Sequence, residues 1–221
     1  LNFAAIGTVA DVMELKQENY VFVRNGLKSL GVSEYCTSGL YALISAFSLN
    51  KHISASDIGF KIGPAINASS RMKDDGAMDA VKLLTFEGDY VTAIKMAERL
   101  VQVNDSRKEA KKHGIELAHQ IVNDNCLYGD IPMVVYVPGI NEGIIGIIAG
   151  NLCEEYKVPV IVLTDVDSNT LKGSGRSCGN YDMKQKLDEC SSLLRTYGGH
   201  VGAAGLSLDK NNLETFKEKL I

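Results

Sequence analysis

Apolar positions in the first half of the chain predict one strand followed by a series of helices. The opening run Leu1–Val12 is apolar almost throughout, which is typical of a short buried strand. Apolar residues then recur three and four positions apart, the spacing of one face of a helix. This spacing predicts helices over Asn19–Leu30, Gly39–Asn50, Gly76–Leu84 and Tyr90–Val103, and a further long helix capped by Asp105 or Ser106 and running through Val122. Between them, Gly59–Pro64 predicts an extended turn, because its proline and its glycines disfavour an unbroken helix.

The second half of the chain has the pattern of a small α/β domain. Met133–Val137 and Val158–Leu163 are β-rich runs on either side of a helical segment, Gly143–Glu155, and this order predicts a strand–helix–strand crossover. The remaining elements predicted are a strand over Lys172–Cys178, a helix over Met183–Tyr197, a strand over Ala203–Leu208 and a helix over Leu213–Leu220. The fold class is therefore α/β: the end of one α/β domain, a helical connector with a long helix, and a small α/β domain with a mixed sheet.

Composition limits the function classes. Hydrophobic residues make up 45% of the 221 positions and charged residues 23%, as in an ordinary globular protein. The net charge of -4 argues against a protein that coats nucleic acid by bulk charge, but it leaves room for a local pocket. The 5 cysteines have no metal-ligand spacing, which favours reduced thiols in a cytoplasmic protein. Because the chain opens without methionine inside an apolar run, we expect it to be a piece of a longer protein.

Two candidate sites lie in the first half of the chain. Asp11 ends the predicted first strand, where it either binds a divalent metal or simply caps a loop. The segment Ile62–Arg71 is rich in small residues, which predicts an irregular binding loop with Asn67 and Arg71 as the candidate substrate contacts. Arginine suits a phosphate because its planar group donates two parallel hydrogen bonds. The basic cluster Arg107, Lys108, Lys111 and Lys112 is expected to be a solvated helix face.

Two further candidates lie in the second half. In Lys172–Ser177, glycines would let an anion approach the backbone, while Ser174 and Arg176 would supply hydrogen-bond donors. In Gly198–Gly205, glycine and alanine surround a single imidazole, His200, which could donate to a phosphoryl oxygen or bind a metal. A Gly/Ser turn and a core histidine remain the alternatives.

In this order, five stretches resemble the C-terminal part of the RecJ family, single-strand-specific exonucleases of the DHH phosphoesterase superfamily. The matching stretches are GTVAD (Gly7–Asp11), FKIGPAINASSRM (Phe60–Met72), EGIIGIIAGNL (Glu142–Leu152), KGSGRS (Lys172–Ser177) and GGHVGAAGL (Gly198–Leu206). The resemblance implies a remnant of a DHH catalytic domain over 1–35, a helical connector over 36–128, and a substrate-binding DHHA1 domain over 129–221.

The resemblance also implies roles for single residues. Asp11 would be one ligand of a catalytic Mn²⁺ or Mg²⁺, and Arg71 and Asn67 would contact the nucleic-acid backbone. Ser174 and Arg176 would seat the 5′ phosphate of single-stranded DNA. Gly198, Gly199 and His200 would face the metal centre, with His200 acting in catalysis.

Departures from the family pattern keep other functions open. The Asp-His-His triplet that supplies most metal ligands is missing from the 221 residues, Ile140-Asn141 stands where the family usually has Trp-His, and Ser70 stands where glycine is usual. The leading hypothesis is part of a metal-dependent 5′→3′ exonuclease on single-stranded DNA, inactive by itself. The alternatives are a non-catalytic nucleic-acid-binding module and a phosphoesterase of short oligonucleotides or nucleotides.

Overall fold

The computed structural model describes residues 1–49, 52–73 and 75–220, which divide into two compact units, 1–107 and 108–221. Helices are the regular elements in the described residues of the first unit, and turns connect them. Its helices are α1 (Asn2–Ala10), α2 (Gln17–Leu30), α3 (Ser38–Ala46), α4 (Ala55–Asp57), α5 (Gly63–Met72), α6 (Gly76–Leu84) and the start of α7 (Tyr90–Asp124). Leu30, Leu40, Leu43, Ile58 and Leu83 are among the residues that form its core.

The predicted first strand is wrong, because Asn2–Ala10, most of the run Leu1–Val12, folds as helix α1. Asn2, Ala5 and Ile6 are buried while Phe3 is exposed, which is the burial period of a helix and not of a strand. An apolar run of this length fits either element, and tertiary packing decides between them. The deciding contact is with α2, where a Cβ added to Gly26 would lie 2.3 Å from the Cβ of Ala5, so glycine permits the close approach of the two helices.

The extended turn predicted over Gly59–Pro64 and the irregular loop predicted over Ile62–Arg71 are also wrong. Ile58–Ile62 forms one π-helical turn between α4 and α5, and Pro64 lies in the first turn of α5. Proline is tolerated there because a missing N–H costs little where a helix begins anew. A capping box between Ser54 and Asp57 starts the whole segment.

Helix positions were predicted better elsewhere in the first unit. Helices α2 and α6 lie where the apolar spacing placed them. Helix α3 begins as predicted but ends at Ala46, short of the predicted end at Asn50, which itself lies outside the described residues. The break predicted near Asp105 is wrong, since α7 continues without interruption from Tyr90 to Asp124.

The second unit contains a five-stranded mixed sheet with helices on both faces. Its elements are β1 (Met133–Tyr136), α8 (Ile145–Tyr156), β2 (Val160–Asp165), β3 (Thr170–Arg176), α9 (Met183–Glu189), β4 (Leu194–His200), β5 (Ala203–Asp209) and α10 (Leu213–Leu220), and the strand order is β1-β2-β3-β5-β4. Strands β1 and β2 are parallel and the other pairs are antiparallel. This confirms the predicted crossover and the mixed α/β class.

One helix of this unit is shorter than predicted. Helix α9 begins at Met183 under the cap of Asp182 but ends at Glu189, and Leu194–His200, predicted in part as its continuation, pairs with β5 as strand β4. The pairing is non-local, so the sequence around Leu194 does not reveal it. The 5 cysteines are all free thiols.

Candidate functional site

Three strands of the second unit place the candidate residues of two distant motifs on one face of the sheet. Residues directly opposite each other in an antiparallel pair point to the same face. Ser174 on β3 is opposite Gly205 on β5, which is opposite Gly198 on β4. In the next row Arg176 is opposite Ala203, which is opposite His200. We call this surface, made of these two rows, the open sheet face.

Helix α8 borders the open sheet face at Ser174 and Arg176. The Nη1 of Arg176 donates to the Oγ of Ser174 at 2.9 Å and to the carbonyl oxygen of Gly175 at 2.8 Å. Gly146, in the first turn of α8, is so close that an added Cβ would lie 2.8 Å from Nη2 of Arg176 and 3.0 Å from Oγ of Ser174. The first turn of a helix carries partial positive charge on its backbone N–H groups, so helix and guanidinium favour the same anion.

Small residues form the floor of the open sheet face. A Cβ added to Gly198 or to Gly205 would meet nothing within 4 Å in the described part of the chain. The floor continues as a groove of about 570 Å³ whose lining includes Lys172, Thr196 and Ser207. The hydroxyls of Thr196 and Ser207 lie 2.6 Å apart, and Nζ of Lys172 pairs with Glu142 at 2.8 Å.

His200 and Gly199 end strand β4 in different ways. His200 is exposed, and its Nδ1 accepts a hydrogen bond from the backbone N–H of Gly202 at 3.2 Å. In the neutral ring this leaves the proton on Nε2, which can donate outward. Gly199 has a φ of 148° and an added Cβ would lie 2.3 Å from the carbonyl oxygen of Ala203, so only glycine fits this position.

The candidates of the first unit lie on two helices. Asp11 is exposed at the C-terminal end of α1, and is not at the end of a strand as predicted. Asn67 and Arg71 lie four residues apart on α5, both exposed, instead of in a loop. Gly63 at the start of α5 is close to Ala10, where an added Cβ would be 3.1 Å from the Ala10 Cβ. The structure therefore brings the end of α1 that carries Asp11 next to the helix that carries Arg71.

Comparison with known proteins gives the same assignment as the ordered motifs. The DHHA1 domain family matches residues 130–221. The single-stranded-DNA-specific exonuclease RecJ of Dickeya dadantii is 32% identical over 99% of this chain, and its Bacillus subtilis counterpart is 32% identical over 100%. The crystal structure of RecJ in complex with Mn²⁺ from Thermus thermophilus superimposes on 99% of the chain with a TM-score of 0.84 and 28% identity. The chain is a member of the RecJ family and carries its DHHA1 domain.

This RecJ-family chain spans only part of its relatives. It covers 39% of the Dickeya dadantii protein, 28% of the Bacillus subtilis protein and 31% of the Thermus thermophilus chain. Two of the similar solved structures are RecJ complexes with Mn²⁺ and with Mg²⁺. In residues 1–49, 52–73 and 75–220 of this chain, no group of three or more histidine, cysteine, aspartate or glutamate side chains could hold a metal ion. The described residues therefore do not form such a site on their own.

Sequence reasoning missed several residues of the site in the RecJ-family chain. Gly146 was part of a recognised motif, but only the fold shows that it touches the Ser174–Arg176 pair. The sequence around Thr196 and Ser207 does not mark them as site residues, because their contact depends on the pairing of β4 with β5.

None of the described helices is both long and apolar enough to cross a membrane.

Proposed function

We propose that this chain binds the 5′-phosphorylated end of single-stranded DNA on the open sheet face. The observation that carries the proposal is the Ser174–Arg176 pair, held at 2.9 Å beside the first turn of α8. A terminal phosphate monoester has about -1.5 to -2 charges at neutral pH, whereas each internal phosphodiester has about one. A guanidinium, a hydroxyl and helix N–H groups together at the border of the open sheet face suit the more highly charged group.

The rest of the open sheet face suits the nucleotides that follow the phosphate. Gly198 and Gly205 leave the floor without side chains, so a sugar–phosphate backbone can lie close to the strands. His200, one row away from the Ser174 row, would donate from Nε2 to a phosphoryl oxygen near the bond to be cleaved. Names of the relatives support this assignment, since they are single-stranded-DNA-specific exonucleases.

For the longer protein we infer a metal-dependent exonuclease that degrades single-stranded DNA from the 5′ end. Asp11 would be one carboxylate ligand of Mn²⁺ or Mg²⁺, and the other ligands would come from outside this chain. A bound divalent ion would supply an activated water and charge neutralisation at the scissile phosphate. We accordingly expect the chain alone to bind DNA without cleaving it; release of labelled nucleotides by the chain with Mn²⁺ or Mg²⁺ would contradict this part.

The binding proposal is tested with three versions of one oligonucleotide, carrying a 5′ phosphate, a 3′ phosphate or hydroxyls at both ends. Fluorescence anisotropy of the wild-type chain should show about tenfold tighter binding of the 5′ phosphate, the size of one charge-assisted hydrogen bond. Arg176→Ala should abolish the preference, and Ser174→Ala should reduce it. Arg195→Ala is the matched control, because it also removes a guanidinium but at the start of β4, away from His200, where Arg195 pairs with Asp209. This variant should retain the preference. Equal binding of all three oligonucleotides by the wild-type chain would overturn the proposal.

A further inference from the structure

The long helix α7 has a buried stripe whose middle is polar. Its fully buried positions lie on one line along the helix: Ala93, Ala97, Leu100, Asn104, Gly114, Ala118 and Val122. The half-buried Arg107 and Lys111 continue the same three- and four-residue spacing between Asn104 and Gly114. Ala93, Ala97 and Leu100 belong to the core of the first unit. Asn104, Arg107 and Lys111 occupy the next positions of this series, between the apolar positions that end at Leu100 and the small or apolar ones that resume at Gly114.

Two polar groups of this stripe are buried without partners. Asn104 is 0% exposed, and neither its Nδ2 nor its Oδ1 has a hydrogen-bond partner among the described residues. The Nε of Arg107, one helical turn later, is likewise buried and without a partner in the described ranges. Buried polar groups in native proteins are nearly always paired, so three such atoms within one turn require an explanation.

Arg107 also has a second positive charge close to it. Burial lowers the pKa of Arg107, and the positive charge of Arg71 on α5 lowers it further. An anion that accepts hydrogen bonds from both guanidinium groups would lower the repulsion between them. Because Arg71 is exposed and Arg107 is half-buried, such an anion can reach them from solvent.

We propose that Arg107 is a second residue for the phosphodiester contact that the family resemblance implies for Arg71, and that Asn104 positions Arg107 for this contact. The inference rests on the proposed function, since it takes the same strand as its ligand. Asn104 and Arg107 lie three residues apart on one helix face, and their unpartnered atoms are complementary, because Oδ1 accepts and Nε–H donates. When the guanidinium turns toward the phosphate, Nε–H donates to Oδ1 and both atoms are satisfied.

The test uses an oligonucleotide with hydroxyls at both ends, which offers only phosphodiesters. Arg107→Gln should bind it about tenfold more weakly and lower the slope of log affinity against log salt by about 0.7, as expected for one lost contact to a single strand. Lys112→Gln removes the same charge from an exposed position on the same helix and should change affinity less than about twofold. Equal effects of the two substitutions would overturn the inference.

Stability separates a binding role from a structural one. Arg107→Gln should leave the melting temperature unchanged or raise it, because it removes a partly buried charge that has a like-charged neighbour. A fall of several degrees together with weaker binding would indicate a structural role and overturn the inference. Asn104→Leu should weaken binding about threefold in the wild-type background and no further in Arg107→Gln, whereas equal losses in both backgrounds would contradict a positioning role.

Further controls separate this inference from the proposed function and from free anions. If the wild-type chain shows no preference for the 5′ phosphate but Arg107→Gln still weakens DNA binding, the proposed end recognition alone is refuted. An Arg107→Gln effect on binding of inorganic phosphate but not of DNA would refute the strand assignment. Absence of DNA binding by the wild-type chain would refute both proposals.

Discussion

Replacing Gly146 by alanine adds one methyl group at the border of the open sheet face. The new Cβ would lie 2.8 Å from Nη2 of Arg176 and 3.0 Å from Oγ of Ser174. Carbon contacts are optimal at about 3.5 Å or more, so the guanidinium must move by roughly 0.7 Å. Because both crowded atoms end mobile side chains, we expect this movement and not unfolding of α8.

The matched control is Gly150→Ala, one turn later in the same helix. A Cβ at Gly150 would meet nothing within 4 Å among the described residues. Both substitutions should gain about 0.5–1 kcal/mol of stability from the helix propensity of alanine. In Gly146→Ala the displaced Arg176 should donate a weaker hydrogen bond to the phosphate. The binding free energy for the 5′-phosphorylated oligonucleotide should fall by about 1 kcal/mol, which is a fivefold loss of affinity.

The assay combines thermal denaturation with anisotropy titrations of the 5′-phosphorylated and 5′-hydroxyl oligonucleotides. Gly150→Ala should keep the 5′-phosphate preference of the wild type, and Gly146→Ala should reduce it while remaining folded. A full preference in Gly146→Ala would show that the guanidinium position beside α8 is not what selects the phosphate. Unfolding of Gly146→Ala would refute the view that only side-chain ends are displaced.

Three further predictions concern stability. Gly199→Ala should lower the free energy of unfolding in urea by at least about 2 kcal/mol, because the φ of 148° and the backbone of Ala203 both oppose a side chain. The control Gly198→Ala should change this free energy little. Similar losses in the two variants would be inconsistent with this geometry. The pKa of Asp57 is lowered to about 2, first by the hydrogen bond from Ser54 and then by Lys61. The ionised carboxylate therefore raises the free energy of unfolding above the unfolded-state pKa near 4, and this stabilisation is lost as the pH falls toward 2. Asp57→Asn should therefore be less stable than wild type at neutral pH, with the difference disappearing near pH 2; a difference that is independent of pH would argue against the ionised cap. Phe216→Ala, which empties a fully buried position of α10, should cost about 3–5 kcal/mol in the same unfolding assay, and a cost below about 1 kcal/mol would mean that the site relaxes or is not packed.

Elements determined by local patterns were predictable from the sequence. The helix Leu213–Leu220 has the predicted bounds, and the β1–α8–β2 crossover follows the alternation of β-rich and helical runs. The opening apolar run was not predictable, since a strand and a buried helix have the same composition at this length. Long-range pairing also escaped prediction, as shown by Leu194–His200, where strand β4 replaces the end of a predicted helix.

Candidate residues were easier to name than to place. Ser174, Arg176 and His200 were recognisable as residue types with small neighbours, but only β5, lying between β3 and β4, brings them to one face. Arg107 was expected on a solvated surface because the charges around it dominate the local pattern. Its partial burial follows from its place in the stripe along α7, and this stripe becomes visible only when the two predicted helices are joined.

Locating the bound strand end tests the central claim most directly. Amide chemical shifts of the isotopically labelled chain would be followed during titration with a short 5′-phosphorylated oligonucleotide and with its 5′-hydroxyl equivalent. Recognition on the open sheet face predicts the largest phosphate-dependent shifts at Ser174–Arg176 and at Gly146, with smaller shifts at Gly198–His200 that both ligands cause. Phosphate-dependent shifts confined to α9 and α10, on the opposite face of the sheet, would contradict it.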